Sequence, residues 1–88
     1  MVDIYEQVDI KLKSTFNTTL TELINQDDNY KLRMAVLAYI YQKSKETSID
    51  MANRLGIKND YILKKLNIAR VDIINKNGCI YDLYLKLC

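Results

Sequence analysis

Thr47-Ser48-Ile49-Asp50-Met51-Ala52-Asn53-Arg54-Leu55-Gly56-Ile57, then residues 59–66, then residues 71–85 around Asn77-Gly78, form the stretch that decides how this chain is read. Thr47 or Ser48 caps a short helix, because its side-chain oxygen accepts from an unpaired amide of the first turn, and Asp50 favours the same helix end. Ile49, Ala52 and Leu55 supply the apolar stripe. Gly56 leaves the helix through the left-handed conformation, which glycine enters without steric cost. Ile57 tucks back as an apolar plug, and Lys58 or Asn59 caps a second helix with Ile62, Leu66 and Ala69 at core spacing.

Beyond that helix the period changes. Cys79, Tyr81, Leu83, Leu85 and Leu87 alternate with Ile80, Asp82, Tyr84 and Lys86, which reads as a strand. Val71-Asp72-Ile73-Ile74 is rich in β-branched residues and reads as its partner. Asn77-Gly78 is the preferred pair for a tight hairpin turn, where both central residues take positive φ. An alternative stays open: Ile62, Leu66 and Ile73 with the polar residues between them also fit one helix running past Ala69.

The order helix, glycine turn, helix, hairpin resembles the winged helix-turn-helix of small bacterial, phage and archaeal regulators over about residues 29–87. Ala52, Leu55, Gly56, Ile57, Ile62, Leu66 and the hairpin ending Tyr81-Asp82-Leu83 carry the resemblance. It implies a mostly α chain with a small β-hairpin (α+β), a winged helix-turn-helix preceded by a long N-terminal helix. It also implies binding of double-stranded DNA, with helix 59–69 in the major groove and the 71–85 hairpin on the neighbouring backbone. Lys58, Asn59, Tyr61, Lys64, Lys65, Arg70 and Lys76 are then the DNA-binding residues, with Lys76 at the wing tip. The process served would be transcription regulation, replication or partition. Asp60 repels phosphate, and Leu63 suits either a thymine methyl or a protein interface. The second reading is therefore a winged-helix or helical protein-interaction module that does not bind DNA.

The preceding residues read as two more helices. Ile4, Val8, Leu12, Phe16, Leu20 and Ile24 recur every four residues, so residues 3–26 read as a helix with an oblique apolar stripe, and the weak helix formers Ser14-Thr15 and Asn17-Thr18-Thr19 allow a kink or break there. The stripe serves either this chain's own core or a homodimer through the N-terminal helix. Gln26-Asp27-Asp28-Asn29 supplies a new cap, and a helix over residues 29–45 presents Tyr30, Met34, Leu37 and Tyr41, widened by Leu32, Val36 and Ile40. The 88 residues fit a single domain, 1–88, with residues 1–27 as the N-terminal helix and residues 29–87 as the winged-helix core.

Composition narrows the function classes. Hydrophobic residues make up 49% and charged residues 27%, a globular balance, and there is no proline. Residues 1–28 carry six acids against Lys11 and Lys13, a net −4, whereas residues 29–88 carry eleven Lys/Arg against five acids, a net +6. A polyanion is drawn to the second part. Histidine is absent, which removes the commonest general base and metal ligand. Cys79 and Cys88 alone make no zinc site, and two isolated glycines form no phosphate loop. The expectation is a protein that is not an enzyme, with no cofactor and no metal. No signal-like start and no apolar run of about 20 residues points to a cytoplasmic protein with reduced thiols and no membrane partner. Heavy use of Asn, Ile, Lys and Tyr, whose codons are A/T-rich, suits a phage, viral or low-GC bacterial gene.

Overall fold

Six helices run in order through the computed structural model, which describes residues 3–25 and 30–87: α1 Ile4–Phe16, α2 Leu20–Asn25, α3 Tyr30–Ser44, α4 Ser48–Leu55, α5 Asn59–Asn75 and α6 Cys79–Leu87. Among the described residues there is no strand. The expected α+β winged helix is thereby corrected to an all-α fold. The cap assigned to residues 26–29 lies outside the described residues, as does Cys88.

The N-terminal segment breaks where weak helix formers cluster. Asp3 caps α1 by accepting from the Tyr5 amide at 3.2 Å, and Asn17 ends it in the left-handed conformation at φ 55°. Asp9 then accepts from the Leu20 amide at 2.8 Å, which fixes the start of α2 against α1. Tyr5, Val8, Leu12 and Leu23 are buried, with Ile4, Phe16, Leu20 and Ile24 packed partly against them. The oblique stripe therefore belongs to the chain's own core. Of α1's large apolar residues, Ile10 is the one left 63% exposed.

α3 is the axis of the molecule. Leu32, Met34, Ala35, Val36, Leu37, Ala38 and Ile40 are all buried, so nearly the whole circumference of its middle is covered. A helix apolar all round must be enclosed on every side. α1, α2, α5 and α6 enclose it, α6 most extensively. Tyr30 and Tyr41, expected on its core face, lie near its two ends and remain about half exposed at 49% and 45%.

The helix-turn-helix keeps its expected chemistry. Thr47 Oγ1 accepts from the Asp50 amide at 3.2 Å, and Gly56 sits at φ 72°. Both Gly56 and Ile57 donate their amides to the Ala52 carbonyl, at 2.9 and 3.1 Å. The buried stripe of α4 is Met51 and Ala52, with Leu55 partly covered, and not Ile49, which is 59% exposed. Ile49 stands two residues from Met51, roughly 160° around the axis, so the helix cannot bury both.

The hairpin is replaced by helix. Residues 71–75 are the last turns of α5, because Ile62, Leu66, Ala69 and Ile73 step by four, three and four and place one continuous stripe on the core. Tertiary burial of that stripe outweighs the β preference of Val71, Ile73 and Ile74. Lys76, the expected wing tip, is instead the left-handed C-cap of α5 at φ 53°. Asn77 Oδ1 accepts from the Gly78 amide at 2.9 Å, and the Gly78 carbonyl accepts from Asp82 to open α6. Gly78 is at φ 97°, a backbone conformation that residues with a side chain rarely adopt, so the link favours glycine; a Cβ there would also lie 2.8 Å from Asp72 Oδ2 and displace that carboxylate. In α6 the buried set is Ile80, Tyr84 and Leu87, a four-three step, while Cys79 and Leu85 of the expected strand face are exposed. Tyr84 donates its hydroxyl to Gln42 and meets the Tyr39 ring edge-on at 5.8 Å, tying α6 to α3.

A polar cluster locks α1 to α4. Arg54 reaches Asp3 Oδ2 at 2.6 Å and Glu46 Oε1 at 3.0 Å, and its guanidinium lies 3.9 Å over the Tyr5 ring. Arg54 holds the Asp3 carboxyl below the usual carboxylate range. Burial, then the neighbouring Glu46 carboxylate, pushes the Tyr5 phenol up to about 12. The folded chain thus keeps this proton more tightly than the unfolded one. The resulting stability is whole below about pH 10 and is lost as pH rises towards about 12. Tyr5→Phe should flatten the fall of the urea midpoint across that alkaline window. An identical fall in both proteins would assign the titration to other groups.

Candidate functional site

Two surface features stand out on this scaffold, and both involve α5. The first is its outward face. Leu63, Ile68, Val71 and Ile74 are 44%, 49%, 58% and 64% exposed, although the same helix already buries Ile62 and Ala69. Leu63, Asn67, Arg70 and Ile74 repeat at four-three-four spacing and form one wall of a groove of about 430 Å³, closed on the other side by Ala38, Tyr41 and Gln42 of α3. Leu63 and Ile74 lie within about 20° of each other around the axis and Val71 about 60–80° further round, so these three form a patch, unlike a lone exposed leucine, whereas Ile68 lies about 140° from Leu63 with Lys64 between.

The second feature is the turn that leads into α5. Arg33, in the first turn of α3, is 6% exposed. Its Nε donates to the Leu23 carbonyl at 3.0 Å and its Nη1 to the Tyr61 hydroxyl at 2.8 Å. One guanidinium therefore joins α2, α3 and α5. Its Nη2 is buried and has no partner among the described residues. Arg33, Tyr61, Ile24 and the turn residues Gly56, Ile57 and Lys58 surround an open cleft of about 570 Å³.

The seven residues expected to meet DNA do not share a face. Lys58 is exposed at the N-cap of α5, and Lys76 is exposed at its C-cap, 18 residues on and about 27 Å away along the axis. Asn59 is half-buried, with Oδ1 enclosed and unpaired among the described residues. Tyr61 is half-buried on Arg33. Lys64 is exposed, while Lys65 lies half-buried with Nζ 5.3 Å over the Tyr61 ring. Arg70 is exposed at the groove. At roughly 100° per residue, Lys64, Lys65 and Arg70 point in three directions about 100–140° apart. The structure brings together Lys58, Tyr61 and Lys65 at one end of α5, and separates them from Arg70 and Lys76.

Among the described residues no group of three or more Cys, Asp or Glu side chains is placed to hold a metal ion. No described helix is long and apolar enough to cross a membrane. Comparisons with protein-family models, with curated proteins and with solved structures find no match to this chain.

Arg33 is the site residue that the sequence reading passed over. Its signal was present: a cation set inside the run Leu32, Met34, Ala35, Val36 has to be buried with those neighbours or snorkel past them.

Proposed function

We infer that this chain is a small helical protein-interaction module that docks a partner along the outward face of α5 and the α3–α5 groove. The observation that carries it is the exposure of Leu63, Val71 and Ile74 beside the groove, on a helix whose core face is already satisfied. The groove rim carries Arg70 with the amides of Gln42 and Asn67. A matching partner presents apolar anchors beside a carboxylate, the usual layout of an apolar centre within a polar rim.

One observation favours a second reading, DNA binding. The α4–Gly56–α5 turn is as tight as a helix-turn-helix needs, and Lys58 and Lys64 are exposed on the leading turns of α5. The dispersion of the other cations and the apolar outward face count against it.

A double variant, Leu63→Ser/Ile74→Ser, separates the two. Both positions are exposed, so its melting temperature should match the parent within the scatter expected of surface changes. The docking reading requires that cellular proteins retained by the parent on an affinity column are lost with this variant and kept with Lys86→Ala. If nothing distinguishes the columns, and the parent shifts random duplex DNA at low salt in a way that Lys64→Ala/Lys65→Ala removes, the second reading replaces the first.

A further inference from the structure

We propose that the outward face of α5 pairs with the same face of a second copy of this chain, the two α5 helices running antiparallel. The inference rests on the reading of that face as a docking surface, and it names the partner.

The pattern on the groove wall is self-complementary. Leu63, Asn67, Arg70 and Ile74 follow a four-three-four step, the spacing of contact positions along a pair of packed helices. Apolar residues stand at the two ends and polar ones in the middle. In a two-fold dimer one patch meets itself, so each position must suit the position that the axis relates to it. An axis passing between Ile68 and Ala69 relates position 63 to 74 and position 67 to 70. Leu63 then meets Ile74 of the second copy, and Arg70 meets Asn67 of the second copy, each pair occurring twice. The Asn67 side-chain carbonyl can accept from the guanidinium. Asn67 and Arg70 are both exposed, and neither has an ion pair or side-chain hydrogen bond of its own among the described residues. Tyr41 and Gln42, on the α3 side of the groove, border the second copy's helix.

Charge selects this arrangement over its rivals. Parallel helices would set Arg70 directly against Arg70. An antiparallel pair slid by two turns would put Leu63 on Asn67, or Arg70 on Ile74, and so bury polar groups against apolar ones. Antiparallel packing also places the positive end of each helix beside the negative end of the other. Two features limit the affinity. The two Arg70 residues remain about 4.5 Å apart along the axis and repel. The contact is also small: 17 residues give a helix of about 26 Å, and a strip roughly 10 Å wide along it falls well short of the ~800 Å² per partner of a stable complex. The dimer is therefore weak and reversible, and the groove opens to other proteins when it dissociates.

Sedimentation equilibrium of the full chain from about 10 μM to 1 mM tests it, the range in which so small an interface should form. The average mass should rise from that of one chain towards that of two. Leu63→Ser/Ile74→Ser should hold the mass at one chain throughout, and Ile49→Ser, which removes an exposed apolar side chain from α4, should leave the rise unchanged. Register is read by disulfide pairing in a Cys79→Ser/Cys88→Ser background. A mixture of the Leu63→Cys and Ile74→Cys proteins should cross-link unlike with unlike. Like positions stand roughly 16 Å apart along the axis, too far for a disulfide. A chain that stays monomeric at 1 mM overturns the proposal. So does a dimer that survives Leu63→Ser/Ile74→Ser, or cross-linking of like with like. A monomer that still retains cellular proteins through Leu63 and Ile74 overturns the dimer alone and leaves the docking reading standing. A dimer with the expected cross-links whose column retains nothing supports the dimer and removes the cellular partner.

Discussion

Deletion of residues 77–88 should abolish cooperative unfolding of the remaining chain. α6 buries Ile80, Tyr84 and Leu87 and is the most extensive neighbour of α3. Three such side chains contribute about 5–9 kcal/mol at roughly 1.5–3 kcal/mol each. A chain of this size has a net stability of about 4–13 kcal/mol. The loss is therefore comparable to the whole. Deletion also exposes apolar surface on α3, and the truncated chain should bind hydrophobic dyes and lose helicity well beyond the share contributed by α6. A wing of two surface strands would behave differently, since its removal leaves the helical core covered. A sharp urea transition from residues 1–76 would restore that second picture and refute the packing described above.

Leu37→Ala should destabilise the protein by about 2–5 kcal/mol, the range for emptying a leucine site that cannot collapse. Leu37 is 0% exposed in the middle of α3, where helices enclose it on several sides. No neighbour can close the gap without losing contacts elsewhere. At this chain length each kcal/mol moves the melting temperature by about 4–8 °C, so calorimetry should show a drop of about eight degrees or more. The exposed Ile49 on α4 gives the contrast. Ile49→Ala, at 59% exposure, should move the melting temperature by a small fraction of that. Equal effects at the two positions would mean that α3 is not the centre of the core.

The helix-turn-helix was legible because local chemistry and packing agree there. Thr47, Ala52, Gly56 and Ile62 each have one physical use, and the structure puts each to that use. The break after Phe16 was legible for the same reason, through Asn17-Thr18-Thr19. The hairpin was misread because residues 79–87 satisfy two periods at once. With Ile80, Tyr81, Leu83, Tyr84, Leu85 and Leu87 packed into nine positions, both a two-residue and a four-three pattern find apolar partners. What decides between them is the apolar circumference of α3, which needs a helix to cover it. That demand is long-range and has no local marker. Asn77-Gly78 compounded the error, since positive φ at glycine serves a helix-to-helix link as well as a β-turn. The cation pattern was misjudged for a related reason: Lys64, Lys65 and Arg70 are close in sequence, but a helix distributes close neighbours around its axis.

The enclosure of α3 has a consequence for how the molecule opens. Its amides can exchange hydrogen with solvent only after helices on several sides have withdrawn, so their protection should report the full free energy of unfolding. α2 has six residues and a single buried side chain, and its amides should exchange through smaller, local openings. A hydrogen-exchange profile should therefore rise from both sides towards residues 34–40. The slowest clock in the protein would then be set in its third helix, the same helix that lends Ala38, Tyr41 and Gln42 to the groove proposed to meet a partner.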